Sequence, residues 1–183
     1  MYHKQANKTA VQSQHMIADA LLQLMQRKPF SQITITELCE EAAVGRKTFY
    51  RNFDLKEDVI DFQLDHLCGQ YKGEITRMST AEQLRHHLEY VKKHREWFIA
   101  LYQNGFNQMV NDKFAALLPI TMPVWTNDPI EQQYRSQYIV AGIEAVERVW
   151  VERNFHESID EVVAIVNRVH EQQLPLKIFP FKP

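Results

Sequence analysis

The stretch Ala42-Ala43-Val44-Gly45-Arg46-Lys47-Thr48-Phe49-Tyr50-Arg51-Asn52-Phe53 decides how the first third of this chain is read. Before it, Ile35, Leu38, Cys39 and Ala42 recur at three- and four-residue spacing and predict a short helix over 35–43. After a break that ends at Gly45, a second short helix is predicted over 46–52. Two helices this short and this tightly joined must cross steeply, which is helix-turn-helix geometry. Val44, Phe49 and Phe53 fall on one face and are expected to anchor the second helix. Arg46, Lys47, Thr48, Tyr50 and Arg51 are left outside. That outer face offers cations for phosphates and guanine edges, and hydroxyls besides. Asp54-Leu55-Lys56-Glu57 begins the next helix, so Lys56 and the backbone N–H groups there can meet a phosphate. Basic residues on an exposed helix are in most proteins a solvated face. Here the tight helix pair, the apolar anchors and the following helix start coincide.

Working outward, the rest of the sequence also reads as helix. A capping box places Ser, Thr or Asp at the helix start and Glu or Gln three residues on, because the two side chains satisfy N–H groups the helix leaves open. Thr9…Gln12, Thr34…Glu37, Asp54…Glu57, Ser79…Glu82 and Ser158…Glu161 have that spacing, and Asp128-Pro129 adds proline at a first helical position. Helices are predicted over 9–27, 35–43, 46–52, 55–72, 80–94, 95–104, 106–118, 129–153 and 158–173. Asn104-Gly105 is expected to form a C-cap. The fold class is therefore all-α: an N-terminal three-helix helix-turn-helix domain over 1–55, then a helical domain over 56–183.

Composition agrees. The 183 residues are 45% hydrophobic, enough for a real core, and hold only 5 Gly. No apolar run is long enough to span a membrane, and the first residues do not read as a signal peptide, so a cytoplasmic location is expected. Cys39 and Cys68 both lie in apolar helical patterns and read as buried thiols. The net charge of −2 does not advertise nucleic-acid binding, but Arg46, Lys47, Arg51 and Lys56 crowd into one short stretch.

Residues 9–60 resemble the N-terminal domain of the TetR family of bacterial helix-turn-helix transcriptional regulators. Thr34, Ile35, Leu38, Ala42, Val44, Thr48, Phe49, Tyr50, Phe53, Lys56 and Val59 match that family's pattern in register. The resemblance implies that the third helix reads the major groove of double-stranded DNA. It implies that Thr34 belongs to the DNA-binding set, and that Thr48, Tyr50 and Lys56 work on phosphates. Arg46, Lys47 and Arg51 are candidates for base edges. Three positions depart from the pattern. Ala43 replaces the turn glycine, so either its backbone tolerates a strained conformation or the turn is altered. Gly45 replaces a serine and gives up a side-chain cap. Cys39 replaces a small alanine.

The resemblance further implies a homodimer on a palindromic operator, built from the last two long helices, with a small effector that releases DNA; repression is the sign it favours. The residues themselves support the dimer. Tyr134, Tyr138, Ala141, Gly142, Ala145 and Val149 form a stripe with a small centre, and Val162 and Val166 lie on the next apolar helix. Trp97, Phe98, Tyr102, Phe106, Met109, Trp125 and Trp150 are candidates to line an apolar effector site, although aromatic stripes at helical spacing are more often plain core. Catalysis has little support: there is no phosphate loop and no nucleophile motif. His86, His87 and His94, with Glu82 and Glu89, lack the fixed further ligand a metal site needs. No enzyme activity, cofactor or metal is expected. The rival readings are a DNA-binding regulator that answers to a protein partner, and a helical enzyme or metal protein. The apolar tail Leu174–Pro183 is expected to pack back as an extended strap.

Overall fold

The structure is a computed structural model that describes residues 2–3, 7–75, 80–117 and 126–171. Regular structure among these residues is entirely helical. The helices are α1 (Lys8–Met25), α2 (Ile35–Glu41), α3 (Arg46–Asn52), α4 (Glu57–Ile75), α5 (Thr80–Lys93), α6 (Arg95–Gln103), α7 (Asn107–Ala115), α8 (Pro129–Glu152) and α9 (Ile159–Glu171), with a single 3-10 turn at Phe30–Gln32. The predicted all-α class holds. None of these helices is long and apolar enough to cross a membrane. Trp125 and the tail from Leu174 lie outside the described residues.

The chain forms two compact units, Met1–Arg77 with His94–Thr121, and Met78–Lys93 with Met122–Pro183. Thus α4, α6 and α7 share a unit with α1–α3, and the expected functional boundary after residue 55 is not a packing boundary. In the first unit α1 is the hub and packs against α2, α3, α4 and α6. Ile17 and Leu21 of α1, Leu38 of α2, Phe49 and Phe53 at α3, and Ile60 and Leu64 of α4 are among its fully buried side chains. In the second unit α9 packs on α5 and α8, around Tyr90, Val91, Trp150, Val162 and Val166. Trp150 also donates from Nε1 to Glu157 O at 2.9 Å and meets Phe155 at 4.8 Å.

The helix starts show which local signals were sufficient. Thr34 and Glu37 form the full capping box, and Ser158 with Glu161 makes the same reciprocal bonds. Lys28 and both the amide and hydroxyl of Thr34 bond the Glu37 carboxyl and pull its pKa down to about 2. Asp128 caps α8 ahead of Pro129. Two starts differ from the expectation. Asn7, not Thr9, caps α1, accepting from Thr9 N. At α4 the reciprocal partner of the turn is Asp58, whose Oδ2 accepts from Asp54 N and Leu55 N at 3.0 Å each, so Glu57 is not the capping carboxylate. Asp and Glu one residue apart offer the same chemistry, so the sequence pattern alone does not choose between them.

One turn type closes three helices. At the end of α2, Val44 N donates to Cys39 O and Ala43 N to Glu40 O. At α6, Phe106 N donates to Leu101 O and Gly105 N to Tyr102 O. At α8, Phe155 N donates to Trp150 O and Asn154 N to Val151 O. This is the Schellman arrangement, which needs a left-handed residue just past the helix. Gly105 adopts it freely at φ +79°, and Asn154 tolerates it at +53°. Ala43 is held there at +50°, the strained of the two alternatives that its place in the sequence left open. An alanine in that region costs about 1–2 kcal/mol. Nothing in the geometry of the turn requires its methyl, which is exposed. Ala43→Gly is therefore expected to stabilise the first unit by about 1 kcal/mol, after the unfolded-state entropy of glycine is set against the strain relieved. Urea unfolding followed by circular dichroism checks this. A lower midpoint with the same slope would mean the turn is not strained.

Candidate nucleic-acid interface

α3 has only seven residues, and two features make it a helix at all. Its N-cap is Gly45, whose extended backbone lets its carbonyl accept from Thr48 N at 2.8 Å and Phe49 N at 3.1 Å, and which brings no side-chain cap. Its inner face is carried by Phe49 and Phe53, both at 0% exposure, with Val44 half-buried before them. The two rings lie 5.7 Å apart, and Phe53 meets Phe62 of α4 at 5.8 Å. The anchors are thus the expected ones. Asn52 is buried too, its Nδ2 bonded back to Thr48 O at 2.8 Å.

The opposite face is open. Arg46, Lys47, Tyr50 and Arg51 are exposed and Thr48 is half-buried. Neither Arg46 nor Lys47 is paired with a carboxylate among the described residues, so both cations are available to an outside anion. Tyr50 stands 46% exposed with its ring edge-on to Phe49 at 5.4 Å, a stiff perch for its hydroxyl. These five residues come together as one surface.

Two other residues expected at the interface are occupied in other ways. The Thr34 hydroxyl is committed to the cap of α2, donating to Glu37 Oε2 at 2.8 Å while accepting from Glu37 N. Lys56 turns partly inward: its ammonium donates to Phe30 O at 2.8 Å and Ile33 O at 2.9 Å, and lies 4.4 Å from the Phe30 ring centre. Two of its three N–H donors are therefore held by backbone carbonyls.

Two residues at the site escaped the sequence reading. His3 N donates to Asn52 O at 2.8 Å, and its Nδ1 lies 3.0 Å from Arg51 O, so His3 covers the last carbonyls of α3. Its Nε2 lies 3.1 Å from Asp54 Oδ1. Beside it, Tyr2 donates to Asp65 Oδ2 of α4 at 2.8 Å and sets its ring against Phe62. These partners lie 48 to 63 residues away, and no local pattern announces such contacts.

The other expected sites are redistributed. On α8, Tyr134, Tyr138 and Val149 are exposed large side chains, and Ala141, Gly142 and Ala145 are exposed among them. Val162 and Val166, expected at the same surface, are instead buried core at 3% and 6% exposure, and Ile165 and Val169 are the exposed apolar residues of α9. An apolar stripe shows that a helix packs, not on what. Of the aromatic set, Trp97 and Phe98 are buried in the first unit and Tyr102 and Met109 are half-buried there. Phe98 reaches Phe114 of α7 at 6.1 Å, and Phe114 meets Tyr71 of α4 at 5.5 Å. Phe106 is drawn elsewhere, edge-on to Phe30 at 4.9 Å. Trp150 is buried core of the second unit. Burial raises the Cys68 thiol to about 12, and Cys39 is raised by burial as well, which leaves both as packing groups. No cluster of three or more His, Cys, Asp or Glu able to hold a metal occurs among the described residues.

With this geometry in hand, comparisons are informative. The family model described as bacterial regulatory proteins, tetR family, matches residues 17–61, from the middle of α1 into α4. No curated protein matches the sequence. Among solved structures, a TetR transcriptional regulator from Streptococcus agalactiae 2603V superposes with a TM-score of 0.67 at 17% identity, covering 86% of this chain and 93% of its own. The dihydroxyacetone kinase operon activator DhaS superposes at 0.63 with 20% identity, covering 91% and 97%. The fatty acid degradation regulator FadR from Bacillus halodurans superposes at 0.56 with 16% identity, covering 94% and 99%. At such identities the likeness is one of fold, and the helix-turn-helix segment carries the family. Residues 17–61 thus match the helix-turn-helix model of the tetR family, and the chain as a whole shares the fold of solved regulators.

Proposed function

We propose that the protein represses transcription by binding a palindromic operator as a homodimer, and that a small, mostly apolar effector releases it. The observation that carries the DNA-binding part is the open α3 face, with Arg46 and Lys47 unpaired opposite two fully buried rings. Arg46, Lys47 and Arg51 are the base-reading candidates. Thr48, Tyr50 and the remaining N–H of Lys56 hold phosphates. Thr34 supports the interface as the cap of α2. One fold neighbour is described as an operon activator, so the sign of regulation is measured directly, with a reporter behind the operator in cells with and without the protein.

The dimer surface is the exposed face of α8, from Ile130 and Tyr134 through Ala141, Gly142 and Ala145 to Val149, with Ile165 and Val169 of α9. Contiguous exposed apolar surface of this kind marks an interaction site, and its small centre allows a second helix to approach closely. The effector reading rests on Trp97, Phe98, Tyr102 and Met109, which sit where α6 and α7 meet the far part of α4. Its rival, control by a protein partner, is separated by whether small apolar compounds alone shift DNA affinity.

The direct test of the DNA reading is selection of bound duplexes from a random pool, which is expected to return an inverted repeat. Recovery of no common sequence would overturn it. On the recovered operator, Arg46→Ala or Lys47→Ala should cost about 1–3 kcal/mol and relax preference at one position of each half-site, whereas Tyr50→Phe should weaken binding to all duplexes alike. Competition binding with single-base variants reads both. A Tyr50→Phe protein with altered base preference would reverse these roles.

The dimer prediction has a clean variant. A Cβ built at Gly142 meets nothing within 4 Å among the described residues, and the position is exposed, so Gly142→Trp should leave the subunit folded and still separate the two helices. Sedimentation equilibrium should show monomer at concentrations where the parent is dimeric. Unchanged association would place the interface elsewhere.

A further inference from the structure

The 3-10 turn Phe30–Gln32 is gripped from two sides by parts of the first unit. On one side stands Asn104, the C-cap of α6. Its Oδ1 accepts from Phe30 N at 2.7 Å while its Nδ2 donates to Ala100 O at 2.8 Å. The second bond serves α6 itself. The first does nothing for α6, and joins residues 74 positions apart. Immediately after it, the left-handed Gly105 delivers Phe106, whose ring meets Phe30 edge-on at 4.9 Å and 90°. On the other side stands Lys56, the residue before α4 begins, with its ammonium on the carbonyls of Phe30 and Ile33 and over the same Phe30 ring.

The position of that ammonium is therefore set by the turn, and the turn is set by Asn104 and Phe106. Bonds to an ammonium are directional only through the acceptors that hold it. Here both acceptors are backbone carbonyls that a short, internally bonded segment cannot move separately: Gln32 N and Ile33 N donate to Pro29 O and Phe30 O. Lys56 also lies within the short link between the end of α3 at Asn52 and the start of α4 at Glu57. This chain of contacts runs from the α6–α7 turn through Phe30 to the charged group beside the proposed DNA surface, and does not pass along α4.

We propose that Asn104 is a positioning residue for DNA binding: acting through Phe30, it places the Lys56 ammonium so that its third N–H holds a phosphate. This rests on the reading of the α3 face as the DNA surface. The side chain of Asn104 touches no DNA in this arrangement, and its effect passes entirely through Lys56. Losing it therefore weakens binding by no more than losing the Lys56 charge does, and losing both adds nothing to the loss of Lys56.

The experiment is a double-mutant cycle on full-length protein with a random-sequence duplex and with a selected operator, across a salt series. Lys56→Met keeps the stem and removes the charge. It should weaken binding roughly ten-fold on both duplexes and lower the slope of log affinity against log salt by about one per subunit. Asn104→Ala should lower both affinity and slope in the same direction, by no more than Lys56→Met does, and the double variant should match Lys56→Met alone. A merely structural role for Asn104 would lower thermal stability, leave the salt slope unchanged and add its loss to that of Lys56→Met. Either an unchanged slope or additive losses overturns the proposal. If Asn104→Ala does not fold, Phe106→Leu takes its place, with a smaller loss in the same direction and the same lack of additivity. Failure of the parent protein to bind any duplex at low salt has a different meaning: it overturns the DNA-binding reading itself, and this inference with it.

Discussion

Phe49 and Phe53 leave a seven-residue helix no freedom to rotate. A helix of that length is far below what water supports alone. It begins at a glycine without a side-chain cap, so its existence depends on the burial of two rings spaced four residues apart. Removing either ring would cost about 3–5 kcal/mol, comparable to much of a small domain's stability. The same burial fixes the other face. Once Phe49 and Phe53 point inward, Arg46, Lys47, Tyr50 and Arg51 have only the outside. Stability and the chemistry of the surface are set by one packing event.

Around that event several contacts of the unit hold α3 in place. The turn before it closes on a left-handed alanine. His3 covers the carbonyls after it. Asp58 ties the link that follows. Further along α4, Lys113 of α7 bonds Asp61 at 2.6 Å and Asp65 at 2.5 Å, and Asp65 also accepts from Tyr2. The unit thus joins α7, the middle of α4 and the chain's first residues in one polar network, while the Phe30 turn joins the α6–α7 corner to the start of α4. Both connections run from the helices with the aromatic cluster toward the ends of α3.

The sequence was legible where the determinants are local. The helix pair, its anchors, the capping boxes at Thr34 and Ser158, and the strain at Ala43 each depend on residues within a few positions of one another, and each stands where the spacing placed it. The five outward residues of α3 follow from the two inward ones. What was not legible depends on the partner across the core. Val162 and Val166 look the same on paper whether they meet a second subunit or α5 and α8, and the structure shows the latter environment. Lys56 carries a charge suited to phosphate, but only the fold reveals two carbonyls within reach. Phe106 reads as one more aromatic among many until the turn at Gly105 aims it at Phe30. The His3 and Tyr2 contacts close loops of dozens of residues, beyond any pattern of spacing.

The central claim is that the outward face of α3 enters the major groove, once from each of two subunits. Methylation protection of guanine N7 tests this directly, since that atom lies in the major groove and nowhere else. On a selected duplex, the account predicts two protected patches about 34–36 Å apart, one turn of DNA, both lost when Arg46 and Lys47 are replaced together by alanine. Protection confined to the minor groove, or guanine N7 left fully reactive under saturating protein, would contradict it.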